Sequence, residues 1–375
     1  MSSDTWICIR RNHTKSLCTI DREHSSERTD IPHLVNGDNS TNRNHEPYTN
    51  LHTSILTFLN PYDNHIISFE SDFINSTQVN PTKPIVAIST MFNELYITRL
   101  NSNKCISRIE LPSETKFWTW INSSSIAIIT SSCVYHWNYN TETHCSKVIF
   151  DCDERLFKCQ ITNYEVDENE KWCALSGLYV SEETGLISGI VQIYAIDQRS
   201  YHCIEAHCVK FAKYKFSENY NESTILLAAK RVSSKFVKVY FVDLTPLRTS
   251  YTNTKTELIP WSDEFDGKYD FPISIVCNTE LGFVLVFSKY GFLTVCDLET
   301  GSCLIDKFRI CSDIIFRATL DRETQGAIAL ARNGQVLSID LHVEKLINHL
   351  DNVTKNSIAK RLQTVNEVEE EITRL

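Results

Sequence analysis

The feature that most constrains the fold is a short unit, an apolar strand followed by a polar turn and a returning strand, that recurs along the chain. It is clearest in residues 289–304, KYGFLTVCDLETGSCL. β-branched and aromatic residues give its first half the composition of a β-strand. Phe292 and Cys296 fall on one face of that strand, and Leu293 and Val295 fall on the other. Because both faces are apolar, we expect this hairpin to be packed between two neighbouring sheets.

The same unit can be traced seven times. Its copies begin at Trp6, Leu95, Val134, Val191, Val237, Lys289 and Gln335. After the first gap, successive copies lie about 40 to 57 residues apart, which is near the period of a four-stranded propeller blade. This spacing predicts an all-β chain that forms a seven-bladed β-propeller. Periodicity alone leaves a β-sandwich open, because sandwiches also carry hairpins at regular spacing.

Two segments depart from this pattern. Residues from about 21 to 48 are polar, with isolated apolar residues, and we expect a disordered surface insertion there. From Val343 onwards apolar residues recur at three- and four-residue steps, which predicts a helix or a helix pair broken near Thr354 to Ser357. We therefore expect a propeller over residues 1–342 and a short α-helical linker over 343–375. Taken alone, such a helix has little to pack against.

Charge and motifs narrow the function. The net charge of -10 argues against nucleic acid or an anionic membrane as the main partner. No signal peptide precedes Trp6 and no apolar run is long enough to span a bilayer, so we expect a cytoplasmic protein without membrane insertion. H-E-x-x-H, P-loop, G-x-S-x-G and G-x-G-x-x-G motifs are absent from the sequence. We therefore expect no enzyme and no cofactor.

The cysteines and other reactive side chains favour structural roles. The sequence has 14 cysteines but no C-x-x-C pair, and several cysteines lie in apolar runs, namely Cys8, Cys133, Cys173, Cys277 and Cys296. We interpret them as reduced, buried thiols rather than as metal ligands or disulfides. The spacing of His202 and His207 is too loose for a metal site. The carboxylates of Glu165, Asp167, Glu168 and Glu170 are interpreted as a solvated turn. Trp118, Trp120 and Trp137 are predicted to pack between blades.

Several segments together resemble the N-terminal domain of the clathrin heavy chain. They occur in the order and at nearly the spacing found in that family: KFWTWINSSSIAIITSSCVYHW, FKCQITNYEVDENEKW, YDFPISIV, KYGFLTVCDLETGSC and NGQVLSIDL. The resemblance covers about Trp6 to Leu375 apart from the polar insertion. It implies a seven-bladed propeller followed by a helical linker, in agreement with the periodicity.

The resemblance also implies a function. In that family the propeller binds short linear peptides of endocytic adaptors during clathrin-mediated vesicle transport, on the cytoplasmic face of coated pits and coated vesicles. Grooves between blades suit such peptides, because they expose strand edges and apolar pockets. Met1 aligns within the first blade, so we expect the family's N-terminal strand to be missing. The leg is absent too, so trimerisation and light-chain binding are not expected.

The resemblance places one peptide-binding groove between the first two blades. Glu94, Tyr96 and Thr98 occupy the positions of the family's Thr, Gln and Phe, and Val86 keeps an apolar residue on the preceding strand. The family's two lysines just downstream are replaced by Asn103 and Cys105, with a lysine between them. We expect these changes to disfavour acidic motifs by roughly 1–3 kcal/mol.

Two further peptide sites carry over in part. At the upper centre of the propeller Gln160 is kept, whereas Thr162 replaces an isoleucine. At a third site Trp172 is kept and Ile193 replaces a leucine. The Arg, Val and Gln of the adjoining turn are replaced by Gln198, Ser200 and His202. Trp172 and Ile193 also fit the alternative that they serve only as blade core.

Other functions remain open on the sequence alone. One is a general propeller scaffold of the WD-repeat kind, which would bind proteins in a different complex. Another is a non-functional fragment of a coat protein. Binding of adaptor tails separates the first of these from a clathrin-like role.

Overall fold

The structure is a computed structural model of the 375-residue chain. It describes residues 7–14, 52–59, 65–100, 104–141, 146–216, 221–233, 235–244, 254–261, 269–321, 324–352 and 355–364. The polar insertion predicted at about 21–48 lies outside the described residues.

The described strands form seven antiparallel sheets, numbered here in chain order. Sheet 1 contains β1 (Ile7–Thr14), β2 (His52–Leu59) and β3 (Ile66–Asp72). Sheet 2 contains β4 (Ile74–Val79), β5 (Ile85–Thr90), β6 (Glu94–Arg99) and β7 (Cys105–Glu110). Sheet 3 contains β8 (Phe117–Trp120), β9 (Ser125–Ile129), β10 (Cys133–Asn138) and β11 (Lys147–Asp151). Sheet 4 contains β12 (Gln160–Val166), β13 (Trp172–Val180), β14 (Ile187–Ala195) and β15 (Ser200–Glu205).

The remaining sheets continue the series. Sheet 5 contains β16 (Cys208–Tyr214), β17 (Ser223–Arg231), β18 (Phe236–Asp243) and β19 (Thr254–Pro260). Sheet 6 contains β20 (Pro272–Asn278), β21 (Phe283–Ser288), β22 (Phe292–Asp297) and β23 (Cys303–Arg309). Sheet 7 contains β24 (Ile315–Leu320), β25 (Ala327–Ala331) and β26 (Val336–Ile339). Helix α1 (Val343–Asn352) follows, and a second helix, α2, spans residues 356–364.

The sheets are arranged as in a β-propeller. The first strands of sheets 4 to 7 lie beside one another in sequence order, and the later strands of each sheet extend outwards from them. The all-β propeller class predicted from the repeats is thus confirmed. The prediction of seven four-stranded blades is not confirmed as stated, because sheets 1 and 7 contain only three strands each within the described residues.

The first and last repeat copies differ in how much of each can be compared with the prediction. Within the described residues the strand after Trp6 pairs antiparallel with β2, with Ile7 opposite Leu59, and the predicted returning strand lies outside those residues. The copy from Gln335 has no returning strand, because the chain enters α1 at Val343. In this helix Leu346, Ile347 and Leu350 lie on one face and are buried.

The sheets hold together because their strands are apolar on both faces. Every residue of β22 is buried. Leu293 and Val295 belong to the cluster that includes sheet 7, whereas Cys296 belongs to the cluster shared with sheet 5. The predicted packing of this hairpin between two neighbouring sheets is confirmed.

The three tryptophans of sheet 3 pack against sheet 2, as predicted. Trp118 and Trp137 are buried and Trp120 is half-buried, in one cluster with Leu95 and Ile97. Two of the indoles also bond directly across the interface. Trp118 Nε1 donates to Ser76 Oγ at 2.8 Å, and Trp120 Nε1 donates to Gln78 O at 3.2 Å.

Buried side-chain amides link neighbouring sheets. Gln78 Nε2 donates to Trp118 O at 2.7 Å. Gln192, which is fully buried, donates from Nε2 to Asp151 O at 2.9 Å and accepts from Asp153 N at 2.8 Å. Asn278 Nδ2 donates to the backbone carbonyl of Gln325 at 2.7 Å. Apolar packing leaves some backbone groups at these sheet-to-sheet junctions unpaired, and each of the three amides hydrogen-bonds to such groups.

The two helices pack against sheets 6 and 7. Their buried residues Leu350, Ile358, Ala359 and Leu362 join the same apolar cluster as Phe283 and Phe287. The expectation that the helical segment has little to pack against is therefore wrong, because its apolar stripe is covered by the propeller. The predicted break agrees with the structure, in which the first helix ends at Asn352 and the second begins at residue 356.

The described cysteines are unbridged, but they are not all buried. Cys173 and Cys296 are buried as predicted, whereas Cys133 and Cys277 are half-buried. The side chain of Cys8 lies outside the described residues. Within the described ranges, no helix combines the length and apolar character needed to cross a bilayer.

Candidate functional site: the grooves between sheets and the central cavity

The groove predicted between sheets 1 and 2 has an apolar floor. Leu56 and Phe58 of sheet 1 pack against Val86 and Ile88 of sheet 2 with no or almost no exposed surface. Above this floor Tyr96 is half-buried. Period-two alternation along β6 points Glu94, Tyr96 and Thr98 to this side, while the residues between them pack against sheet 3. The groove thus offers an apolar base with a tyrosine at its wall.

Charged side chains form the outer rim of this groove. Glu94 lies opposite Glu110, and Tyr96 lies opposite Arg108, in the pairing of β6 with β7. Glu94, Arg108 and Glu110 are exposed and make no ion pair within the described part of the chain. Two like charges that face each other across a strand pair repel each other. The upper rim is therefore acidic, and a cationic group can relieve that repulsion.

The four predicted groove residues differ in accessibility. Val86 is fully buried and Thr98 is 3% exposed, so both belong to the floor rather than to a contact surface. The hydroxyl of Thr98 is also engaged, because it donates to Lys104 O at 3.1 Å. Glu94 and Tyr96 reach the surface. Of the four predicted groove residues, these two can contact a ligand without rearrangement.

The predicted site of Trp172 and Ile193 lies where sheets 4 and 5 meet. Trp172 is half-buried, and Ile193 is 8% exposed in a cluster with Val209 and Phe211 of sheet 5. Ile193 is thus mainly core, as the alternative interpretation held, while Trp172 keeps an exposed edge. On the sheet 5 side Lys238 Nζ lies 5.0 Å from the ring centroid of Tyr240. This wall is cationic, in contrast to the acidic rim between sheets 1 and 2.

Gln160 does not join Trp172 and Ile193. It is exposed at the start of β12, opposite Leu178, whereas Trp172 begins β13 at the other end of the same strand pair. Thr162 borders the central cavity at this end. The predicted contacts are therefore distributed over three separate places on the propeller.

The central cavity, of about 710 Å³, lies between the first strands of sheets 4 to 7. Ion pairs cross it: Lys210 Nζ lies 2.9 Å from Glu165 Oε2, and Lys213 Nζ lies 3.1 Å from Glu168 Oε2. Burial alone would raise the pKa of Glu165, but Lys210, Asn163 and Arg317 together hold that pKa below its usual value. Glu165 therefore stays charged, and lysines of sheet 5 pair with the carboxylates on this side of the cavity.

The interpretation of Glu165, Asp167, Glu168 and Glu170 as a solvated turn agrees with the exposure of Glu168 and Glu170, and it is corrected for the half-buried Glu165 and the buried Asp167. Asp167 is 3% exposed, and its carboxylate accepts from the backbone N–H groups of Asn169, Lys171 and Trp172. Glu170 accepts from the Asn122 amide at 2.9 Å. Sequence reasoning missed the cavity pairs because residues 165, 210 and 317 come from three different sheets. Each of these three charged residues is flanked on both sides by apolar residues in its strand, and that was the signal available in the sequence.

The described residues contain no cluster of side chains that could hold a metal ion. His207 is buried, its Nε2 donates to Ile187 O at 3.0 Å, and its Nδ1 accepts from Arg231 N at 3.3 Å. Burial lowers the pKa of His207 to about 4. Both ring nitrogens are thus occupied by backbone groups rather than available to a ligand.

The sheets around a central cavity, with grooves between them, define the class as a β-propeller. No model of a protein family matches the chain. It is similar to clathrin heavy chains: 27% identical to clathrin heavy chain 2 of Homo sapiens over 75% of this chain and 17% of that protein. It is 29% identical to clathrin heavy chain 1 of Arabidopsis thaliana over 76% of this chain and 18% of that protein.

A probable clathrin heavy chain of Schizosaccharomyces pombe is 29% identical over 77% of this chain and 17% of that protein. The resemblance to the clathrin heavy chain is therefore confirmed by relatives from an animal, a plant and a fungus. The chain spans less than a fifth of the length of these relatives. Among solved structures, the Cps50 (Swd1) β-propeller domain of Myceliophteria thermophila aligns with a TM-score of 0.48 and 9% identity, over 77% of this chain and 93% of that one.

Proposed function

We propose that this chain is a clathrin-heavy-chain-like coat component whose propeller binds short linear peptides of endocytic adaptors. The observation that carries the proposal is the similarity to clathrin heavy chains along three quarters of the chain. On this proposal the protein acts at the cytoplasmic face of coated pits and coated vesicles. Residues 1–342 form the peptide-binding propeller, and residues 343–375 form the helical linker.

The groove between sheets 1 and 2 supports peptide binding on physical grounds. An extended peptide needs an apolar pocket for its anchors and polar groups at the rim that set its direction. Tyr96 supplies an accessible wall with a polar tip, and it lies above a closed apolar floor that includes Val86 and Phe58. Each such contact is weak, and retention on a coat comes from many grooves engaged at once.

The rim favours a particular class of peptide. Glu94 and Glu110 face each other without a cation between them in the described part of the chain. A peptide that places a lysine or arginine beside its apolar anchors relieves this repulsion, whereas an acidic peptide increases it. We therefore propose that this groove prefers apolar-basic motifs to the apolar-acidic motifs of clathrin-box type.

Peptide titration tests the proposal. Fluorescently labelled peptides with apolar anchors are prepared in two versions, one with an acidic end and one with lysines at the same positions. The lysine version should bind more tightly to the unaltered protein. In the double variant Glu94→Lys and Glu110→Lys the order should reverse, while the control Glu182→Lys, an exposed carboxylate in a turn of sheet 4, should change neither affinity.

Two results count against the proposal. If adaptor tails with either type of motif fail to bind at high micromolar concentration, the chain is not an adaptor-binding propeller. A pull-down that then recovers no coat proteins favours the general scaffold. If peptides bind but Tyr96→Ala leaves the affinity unchanged, the groove between sheets 1 and 2 is not the site.

A further inference from the structure

Two cysteines face each other in sheet 6. Cys296 of β22 is the register partner of Cys303 of β23, and both contribute to the apolar cluster shared with sheet 5. One residue further along, Asp297 N donates to Ser302 O at 2.9 Å. Because hydrogen-bonded and non-hydrogen-bonded pairs alternate in antiparallel sheets, the two cysteines occupy a non-hydrogen-bonded pair. Opposite side chains approach most closely at such pairs.

The two thiols are chemically unequal. Cys296 is fully buried, whereas Cys303 is half-buried and open to small reagents. The neighbouring Cys296 thiol lowers the pKa of Cys303 below its ordinary value. Lys355 lowers that pKa further, while burial, Asp306 and Glu257 oppose the change. The accessible sulfur is thus the better nucleophile, and the buried thiol lies behind it as a partner.

This arrangement is unique among the described strands. Cys277 of the same sheet pairs with Val284, Cys208 of sheet 5 pairs with Ala229, and Cys203 of sheet 4 pairs with Gln192. In the described parts of the sheets, no other cysteine stands opposite a cysteine. Apolar packing explains why a single cysteine is buried. It gives no reason for two cysteines that stand opposite each other on neighbouring strands, one of them accessible.

We propose that Cys296 and Cys303 form an oxidisable dithiol, with hydrogen peroxide as the oxidant and Cys303 as the sulfur that reacts first. The Cys303 thiolate attacks one oxygen of the peroxide, the O–O bond breaks, and a sulfenic acid and hydroxide are formed. That hydroxide takes the proton of the Cys296 thiol and becomes water. The Cys296 sulfur then attacks the sulfenic sulfur, so that the S–S bond forms, the S–O bond breaks and hydroxide leaves. The two sulfurs lose two electrons in total, and the peroxide gains them.

The dithiol lies beside the contacts that hold α2 against sheet 6. Lys355, one residue before α2, donates from Nζ to the carbonyl of Cys303. Arg361 of α2 pairs with Asp297, the residue after Cys296. A bond between the two sulfurs therefore forms within the segment on which α2 is anchored. Hydrogen exchange of the α2 backbone amides gives a second measure of whether this bond has formed.

Peptide mapping of the full chain tests the proposal. The folded protein is treated with hydrogen peroxide, alkylated, digested without reduction and analysed by mass spectrometry. We expect the peptides of Cys296 and Cys303 to be linked and two hydrogen atoms lighter than their sum, and to separate on reduction. Cys296→Ser should stop at a sulfenic acid on Cys303 that dimedone traps, and Cys277→Ser should bridge like the unaltered protein.

A rate measurement supports the same test without relying on a variant. In the folded, reduced protein Cys303 should be alkylated about tenfold faster than Cys277, because a thiolate is the reactive form. Burial raises the pKa of Cys277 to about 12, and this half-buried thiol has no cysteine partner. Equal alkylation rates, or peroxide oxidation of Cys303 without linkage to Cys296 in the unaltered protein, would overturn the proposal.

Discussion

The guanidinium of Arg361 in α2 is paired with the carboxylate of Asp297, which has no exposed surface at the end of β22. A second carboxylate, Glu299, lies 3.3 Å from the same guanidinium. The hydroxyl of Tyr214 in turn donates to Glu299 at 3.2 Å. One cation in the helical segment thus balances two carboxylates of the propeller.

Removal of this cation should loosen the helices. Arg361→Ala leaves Asp297 buried, and among the described residues only Thr300 then donates to its carboxylate, through its backbone N–H and hydroxyl. Breaking a buried ion pair from one side costs about 3 kcal/mol or more. We expect a loss of that size in the free energy of unfolding from urea denaturation, and faster amide exchange across residues 356–364.

Arg332→Ala is the matched control for this prediction. Arg332 is paired with Asp313 at 2.8 Å, but its side chain is 60% exposed. An exposed pair contributes less than about 1 kcal/mol. If both variants lost the same amount of unfolding free energy, α2 would be held by apolar packing alone.

Gly291 and Gly334 provide a test of close backbone approach. Both have φ of +84°, so both pay the same conformational cost when they are replaced by alanine. A Cβ atom at Gly291 would lie 2.3 Å from the carbonyl oxygen of Cys311, whereas one at Gly334 would meet nothing within 4 Å. Gly334→Ala should therefore cost about 1–2 kcal/mol, and Gly291→Ala clearly more, as measured by thermal and urea unfolding. A smaller loss at Gly291 than at Gly334 would contradict this account of the turn.

His207 should make stability depend on pH. Its pKa in the fold is about 4, below the ordinary value of 6.5, because burial disfavours the charged ring. Between these values the unfolded chain binds a proton that the folded chain does not, so stability is full above about pH 6.5 and falls as the pH drops towards 4. The loss attributable to this group is about 3 kcal/mol.

Comparison with His207→Gln isolates this effect. The variant cannot take up the proton, so its free energy of unfolding should change less between pH 7 and 4.5 than that of the unaltered protein. A residual slope is expected from His136, whose pKa burial also lowers to about 4. Parallel curves for the two proteins would mean that His207 is not the group that titrates.

Gln192 tests the amide links between sheets. Gln192→Leu keeps much of the volume but leaves Asp151 O and Asp153 N without their side-chain partner. An unsatisfied buried group costs about 1–3 kcal/mol, so this variant should lose that much per group that water does not reach. Gln198→Leu, at an exposed position of the same sheet, should change the free energy of unfolding little. The measurement is the free energy of unfolding of both variants in urea, and equal values for the two would contradict the prediction.

The fold was predictable where the residues of a single strand indicate its surroundings. Apolar residues on both faces of β22 indicated packing between two sheets, and the structure has that packing. Trp118 was placed correctly because a large apolar side chain in a strand has few alternatives to an interface. The pairing of β1 with β2 was not predictable from local spacing, because the partner strand lies beyond a long polar segment.

The site was less predictable for a physical reason. Accessibility depends on the neighbouring sheet, and the sequence of β6 alone does not show that Thr98 is covered while Tyr96 reaches the surface. The same holds for Glu165, whose partner Lys210 comes from the next sheet. Local sequence determines on which face of a strand a residue lies, whereas the depth of burial depends on residues far away in the chain.

The buried amides have a consequence for assembly of the ring. Because apolar strand faces are interchangeable, hydrophobic packing alone would let a sheet associate with a wrong neighbour during folding. Gln78, Gln192 and Asn278 each reach particular backbone atoms of one adjacent sheet. A misplaced sheet would leave those atoms dehydrated and unbonded, so the amides penalise incorrect circular order and favour a single arrangement of the sheets.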